Sequence, residues 1–363
     1  METNNYQSDL AIHPGEFLEE VLEDLGMSQK ELSNRIGRPT QMINEIIRGK
    51  KSITSKTAIE LEDVLKVPRH IWMGLENEYQ MIQAKNLEME QIKEETSLLS
   101  RFPYADLVKA GLVNSTRNAM EKVEELRAFF SVAKLGQLEY VKVYQPAFRV
   151  SDHKTVSHEA IASWLQAGRV MANEVQTETF DKKLLENSLD ELKALMNLKD
   201  VNESIKEIKR VLSNCGIAFI MLPHFKGTKV NGATFWLNKK EKAVLIMTIR
   251  GSCSDIFWFS FFHELGHILL HTQREVFLEN GYSDPALQKQ EDEADSFARD
   301  FLINRKDYEY FVEKGNFSKQ AVLAFAKEQG IKPSIVVGRL MHEKLVNYND
   351  YRLTPLRDRY KWS

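Results

Sequence analysis

The run Phe257-Trp258-Phe259-Ser260-Phe261-Phe262-His263-Glu264-Leu265-Gly266-His267-Ile268-Leu269-Leu270 constrains the fold more than any other stretch of the chain. It is apolar enough to demand burial, yet it carries H-E-x-x-H at its centre. At about 100° per residue, a helix sets His263 and His267 one turn apart on one face. Two imidazoles so placed can share one Zn²⁺, with Glu264 beside the metal to take a proton from a water. A buried helix otherwise has little reason to hold these polar side chains, because each costs desolvation unless it is paired. Catalytic zinc also needs a third protein ligand and an open position. The acidic segment from Gln290 to Leu302 supplies a candidate. Ala294, Phe297, Ala298, Phe301 and Leu302 mark a buried helical stripe. Glu293, one turn before Phe297, lies at its edge and is the expected ligand, while Glu291 and Asp292 are expected to point outward. Asp295 is expected to hold the other nitrogen of one histidine.

A chain of 363 residues, 43% apolar and 28% charged, has the length for two or three domains and the composition of a soluble globular protein. The net charge of −3 gives no global attraction to nucleic acid or to an anionic membrane, so any DNA contact must come from a local patch. Cys215 and Cys253 form no C-x-x-C pair, which fits a reducing compartment. The first ten residues show no signal peptide, and the longest apolar run is broken by His263, Glu264 and His267. A cytoplasmic protein with no membrane span is expected.

The first eighty residues read as short helices. Pro14 suits a first helical turn, and Phe17, Leu18, Val21 and Leu22 follow at helical spacing. Ser28, with Glu31 three residues on, is a capping box, and Gly37 can close that helix in the left-handed conformation. A second short helix runs from Gln41 to Arg48. This is a helix-turn-helix pattern, in which the second helix enters the major groove. Leu32, Ile36, Ile43 and Ile47 are expected inward, and Thr40, Gln41, Asn44, Glu45 and Arg48 outward. Gln and Asn can bond base edges, while Arg48, Lys50, Lys51 and Lys56 suit phosphates. The first 76 residues nevertheless hold 13 acidic and 9 basic side chains, so modest affinity with a steep salt dependence is expected.

Residues 76–101 read as a charged connecting helix with Leu87, Ile92 and Leu98 as a dimer-forming face. Amphipathic helices then continue to about Leu212 as a spacer or packing region. Strands are expected at Gly216–Leu222, Thr228–Leu237 and Lys242–Ile249, with Val244–Ile249 as the edge that pairs with an extended peptide. His271, His224 and Tyr282 are candidate oxyanion donors. His271 is expected beside the site or at the surface, and Cys253 as an inert loop thiol. Phe317–Lys344 reads as two further helices, followed by a basic closing segment.

Two resemblances gather these features. Ile12 to Leu18, Ser28 to Leu32, Ile53-Thr54 and Ala58 to Leu61 resemble the HigA branch of the Cro/C1-type repressors. That likeness implies operator contacts at Gln29, Thr40, Gln41 and Asn44, and binding to double-stranded DNA as a homodimer. His263 to His267 together with Glu293 to Ala298 resemble the two motifs of the ImmA/IrrE metallopeptidases. Gly232-Ala233-Thr234 with Trp236, Arg250 with Asp255, and Gly330 to Leu340 resemble the subgroup fused to a HigA-like head. The second likeness implies Zn²⁺ on His263, His267 and Glu293, with Glu264 as general base.

The expected fold is α+β and mainly helical. Its parts are an all-α helix-turn-helix domain over 1–82, a helical region over 83–205, a small-sheet, zincin-like metallopeptidase domain over 206–303 and a helical extension over 304–363. The expected function is a transcriptional regulator whose attached zinc endopeptidase cleaves itself or a partner repressor. The alternative is an antitoxin-type or metabolic repressor, with a toxin as possible partner, whose zinc domain is a non-catalytic sensor.

Overall fold

The computed structural model describes residues 11–148, 157–237, 241–249, 253–271, 276–278 and 285–360. It divides into two compact units, Met1–Glu95 and Thr96–Ser363. The break falls later than the expected boundary at 82, because the connecting helix runs on without interruption to Glu95.

The first unit consists of α1 (Pro14–Asp24), α2 (Gln29–Ile36), α3 (Thr40–Ile47), α4 (Ser55–Leu65) and α5 (Arg69–Glu95). Local chemistry sets the helix starts. The Oγ of Ser28 accepts from the Glu31 amide at 3.2 Å and Thr54 caps α4 in the same way, each satisfying an amide with no partner inside its helix. Gly37 closes α2 at φ 65°. Leu18, Leu32, Ile43, Ile46, Leu61 and Trp72 form the core. Ile46 takes the buried place expected of Ile47, which is only partly covered. Gly15 lets α1 press on the end of α3, since a β-carbon there would stand 2.0 Å from the Ile46 carbonyl oxygen. Trp72 is a core residue whose indole donates to the Val67 carbonyl.

The second unit adds α6 (Tyr104–Lys109), α7 (Ala119–Phe130), α8 (Gln145–Phe148), α9 (His158–Glu174), α10 (Lys182–Ala194) and α11 (Val201–Asn214) before the sheet. Strands β1 (Ile217–Met221), β2 (Gly232–Leu237), β3 (Lys242–Met247) and β4 (Val276–Leu278) stand in the order β1-β3-β2-β4. β1 runs parallel to β3, while β2 is antiparallel to both β3 and β4. β3 is therefore central and not the expected edge. Its side chains are buried from Ala243 to Met247, as a strand covered on both faces requires.

α12 (Ser254–Leu270) packs on one face of this sheet, and α13 (Pro285–Leu302), α14 (Arg305–Glu313), α15 (Lys319–Glu328) and α16 (Pro333–His342) complete the unit. Phe219, Leu245 and Met247 on that face join Phe257, Phe261 and Phe262 of α12 in one core. α9 covers the opposite face closely, and a β-carbon at Gly168 would meet Ile246 Cδ1 at 2.0 Å. The same core takes in Leu185 and Leu192 from α10 and Val336 and Leu340 from α16. The expected divisions at 206 and 304 are accordingly absent from the packing. The closing segment is tied to the start of α12. Arg357 grips Asp255, Trp258 donates to the Tyr360 hydroxyl at 2.8 Å, and the Ser254 amide donates to the Asp358 carbonyl. Arg250, named with Asp255 in the subgroup resemblance, lies outside the described residues. No described helix is long and apolar enough to cross a membrane.

Candidate metal centre and nucleic-acid interface

α12 is apolar nearly all round, so the fold buries most of it and takes its polar side chains inside. His263 is 2% exposed, and Glu264 and His267 are fully buried. α13 crosses at the small residue Gly266, where a β-carbon would come within 3.0 Å of Phe297 and 3.3 Å of the Ala294 backbone. That close approach brings the buried carboxylate of Glu291 to the histidine pair. Its oxygens stand 3.3 Å from His263 Nε2 and 3.4 Å from His267 Nε2, and the two Nε2 atoms are 3.0 Å apart. His263 Nδ1 lies 2.7 Å from Asp295 Oδ1. Donation by Nδ1–H to that carboxylate leaves the Nε2 lone pair directed at the cluster.

Burial pushes His267 down to about 4 and outweighs the carboxylate beside it. Burial works against the charge of Glu291 too, but its contacts with His263 and His267 prevail and hold it at about 2. His267 is thus a neutral imidazole and Glu291 an ionised carboxylate at pH 7. His263, His267 and Glu291 offer ligand atoms all within 4.8 Å of one another. Two imidazoles and a carboxylate are a zinc donor set, and such a cluster inside an apolar core is costly unless something joins it. The residues fit a divalent metal.

The third acid differs from expectation. Glu293 is 45% exposed and turns to His271 Nε2 at 3.6 Å and to Lys289. The fully buried stripe of α13 runs through Ala294, Ala298 and Leu302, with Phe297 and Phe301 only partly covered. Counted back from Ala298 by four and by seven, that stripe reaches Ala294 and Glu291. A stripe that includes the partly covered phenylalanines points toward Glu293 instead. The i−7 spacing was the available signal.

Glu264 lies against the start of β2, where a β-carbon at Gly232 would stand 2.7 Å from its Cγ and Oε1. His271 is buried beside the cluster, with Nε2 3.2 Å from the Gln290 carbonyl. His224 is exposed, and Tyr282 lies outside the described residues. Cys253 sits just before α12 and bridges to Arg359. It is ten residues from His263, or roughly 15 Å of helix, so it cannot reach the cluster.

In the first unit Thr40, Gln41, Arg48, Lys50 and Lys51 are exposed, and Gln29 and Asn44 are half-buried. The Asn44 amide donates to Gln29 at 3.3 Å, tying α3 to α2, and Gln41 donates to Glu45 at 2.9 Å. Arg38 is held by a two-pronged pair to Glu60 at 2.8 Å. The face offers amides for base edges with cations at its end. Glu45, 3.9 Å from Lys51, adds a carboxylate that tempers them.

Residues 18–72 match a family model described as helix-turn-helix, and residues 256–341 match one described as the IrrE N-terminal-like domain, a peptidase M78 model. Virulence-associated protein I of Dichelobacter nodosus is 34% identical over 76 residues, which are 21% of this chain and 70% of that protein. Among solved structures, the Pseudomonas aeruginosa antitoxin HigA, determined with the higBA promoter, is 30% identical, covering 24% of this chain and 95% of that one at a TM-score of 0.23. A HigA-family addiction-module antidote protein of Coxiella burnetii is 31% identical, covering 23% and 94% at a TM-score of 0.22.

Proposed function

Because this chain belongs to the helix-turn-helix family through residues 18–72 and carries an IrrE N-terminal-like domain over residues 256–341, we propose that it is a DNA-binding regulator whose attached domain is a zinc endopeptidase acting on this chain or on a partner repressor. The observation that carries the enzymatic half is the buried trio of His263, His267 and Glu291 beside Glu264. A zinc ion held there would supply Lewis acidity, polarising a peptide carbonyl and acidifying a water.

The chain's own residues would do the rest. His263 and His267 present ring nitrogens, and Glu291 offsets part of the metal's charge. Asp295 fixes the tautomer and orientation of His263 through its 2.7 Å contact. Glu264, the neighbour of a ligand, takes the water's proton and later returns it to the leaving amine. Gly232 leaves the space this carboxylate needs.

For the head, Gln29, Thr40, Gln41 and Asn44 would face base edges, and Arg48, Lys50 and Lys51 the phosphates, in a homodimer on a two-fold operator. The test is Glu264→Gln in the zinc-loaded full chain, offered itself and candidate repressors. Zinc content should persist while cleavage disappears. Cleavage that survives the substitution removes Glu264 from the mechanism. No cleavage by the unaltered protein leaves a repressor whose metal domain senses.

A further inference from the structure

Glu264 is confined from one side by the first residue of β2, and that residue is reached through the 223–231 loop. The helices that precede the sheet hold the loop at three points, and the Thr248 amide after β3 holds its last residue by donating to the Asn231 carbonyl at 2.9 Å. The Trp164 indole of α9 donates to the Pro223 carbonyl at 3.1 Å. The Lys226 amide donates to the Asp106 carboxylate of α6 at 2.9 Å. The Ser157 amide, at the start of α9, donates to the Gly227 carbonyl at 3.0 Å. Gly227 itself stands at φ +91°, and a β-carbon there would reach Ser157 and Ala160 at about 3.5 Å. The Ser157 hydroxyl also donates to the Arg101 carbonyl, joining the loop's anchor to the start of the whole unit. Five residues past Gly227, Gly232 meets Glu264 with no room for a side chain.

We propose that the helices of residues 104–164 are a positioning element for the metal centre, in which Asp106, Ser157 and Trp164 hold the 223–231 loop so that Gly232 fixes the Glu264 carboxylate. This rests on reading Glu264 as the proton-transferring group. It gives the middle region a role other than that of a spacer. A displacement of α6 or of the start of α9 is passed through the loop to Gly232 and to the side chain of Glu264, while the backbone of α12 and α13, and with it His263, His267 and Glu291, stays in place. Metal binding and proton transfer are thereby under separate control.

The test uses the full chain and two readouts that need no turnover. The first is hydrogen exchange in peptides spanning 223–237. Asp106→Ala and Trp164→Phe each remove one anchor, so exchange there should rise about fivefold while head peptides stay unchanged. Asp106→Asn, which keeps an acceptor for the Lys226 amide, should restore the original rate. The second is the visible spectrum of the cobalt-substituted protein. Gly232→Ala and Asp106→Ala should move its bands in the direction that Glu264→Gln does, with zinc affinity unchanged. If both anchor variants leave exchange at 223–237 and the cobalt bands as in the unaltered chain, the proposal is overturned. A protein that cleaves nothing defeats the peptidase reading alone, since neither readout depends on cleavage.

Discussion

The two candidate sites place their functional side chains in opposite settings. In the head, Gln41, Arg48 and Lys50 stand on the surface, and the core of Leu18, Leu32, Ile43 and Ile46 lies behind them. In the second unit, His263, Glu264 and His267 are inside the core, among Phe261, Phe262 and Leu265. An exposed site can change its chemistry without disturbing the fold. A buried one couples folding, protonation and ligation, because every polar group there is desolvated. The difference predicts which substitutions act on function alone and which act on function and stability together.

The largest effect is expected at Glu264. Glu264→Gln should lower peptide hydrolysis by about 10²–10⁴-fold with zinc content retained, as measured by product formation alongside metal analysis. The next separates the two neighbouring acids. Glu291→Ala should weaken zinc binding by more than about 100-fold, and Asp295→Asn by about 10–100-fold, in competition with a chromophoric chelator. Glu293→Ala should leave it unchanged, and the reverse ranking would restore Glu293 as the ligand.

The buried setting also implies a pH dependence for the second unit. His267 is held at about 4, below its ordinary 6.5, so the unfolded chain binds more protons between those values. Stability of the metal-free unit is then complete above pH 6.5 and falls on acidification toward 4, by about 3 kcal/mol from this residue. Glu291, held at about 2 against an ordinary 4.5, adds a further loss below pH 4.5 in the same sense. Urea midpoints from pH 7 to 4 should show this slope, and it should shrink in His267→Asn.

In the head, Gln41→Ala should weaken operator binding by about 5- to 150-fold with no change in melting, and Asn44→Ala should do so with a small loss of stability from the broken tie to Gln29. Lys50→Ala should weaken binding to all sequences alike and reduce the salt slope by about 1. Cys253→Ser should alter neither zinc affinity nor cleavage.

What could be read in the chain was local. The Ser28 cap, the Gly37 stop and the two histidines depend on spacings of a few residues, and each appears where those spacings put it. The strands likewise begin and end within a few residues of their alternating patterns. The rest depends on contacts between distant segments. β3 is not the edge its apolar run suggests, because such a run does not reveal its neighbours, and β1 and β2 enclose it. Arg357 meets Asp255 across about a hundred residues, and Asp106 meets Lys226 across still more. No periodicity in either segment announces such a pair. Glu291 lies between these cases, since its stripe is legible but the partly covered phenylalanines beside it obscure which face is buried.

An anomalous difference map at the zinc absorption edge, from crystals of the zinc-loaded full chain, tests the central claim most directly. A single strong peak should lie within bonding distance of His263 Nε2, His267 Nε2 and a carboxylate oxygen of Glu291, with Glu293 turned away. A peak held by His271 and Glu293, or none beside the paired rings, would contradict it.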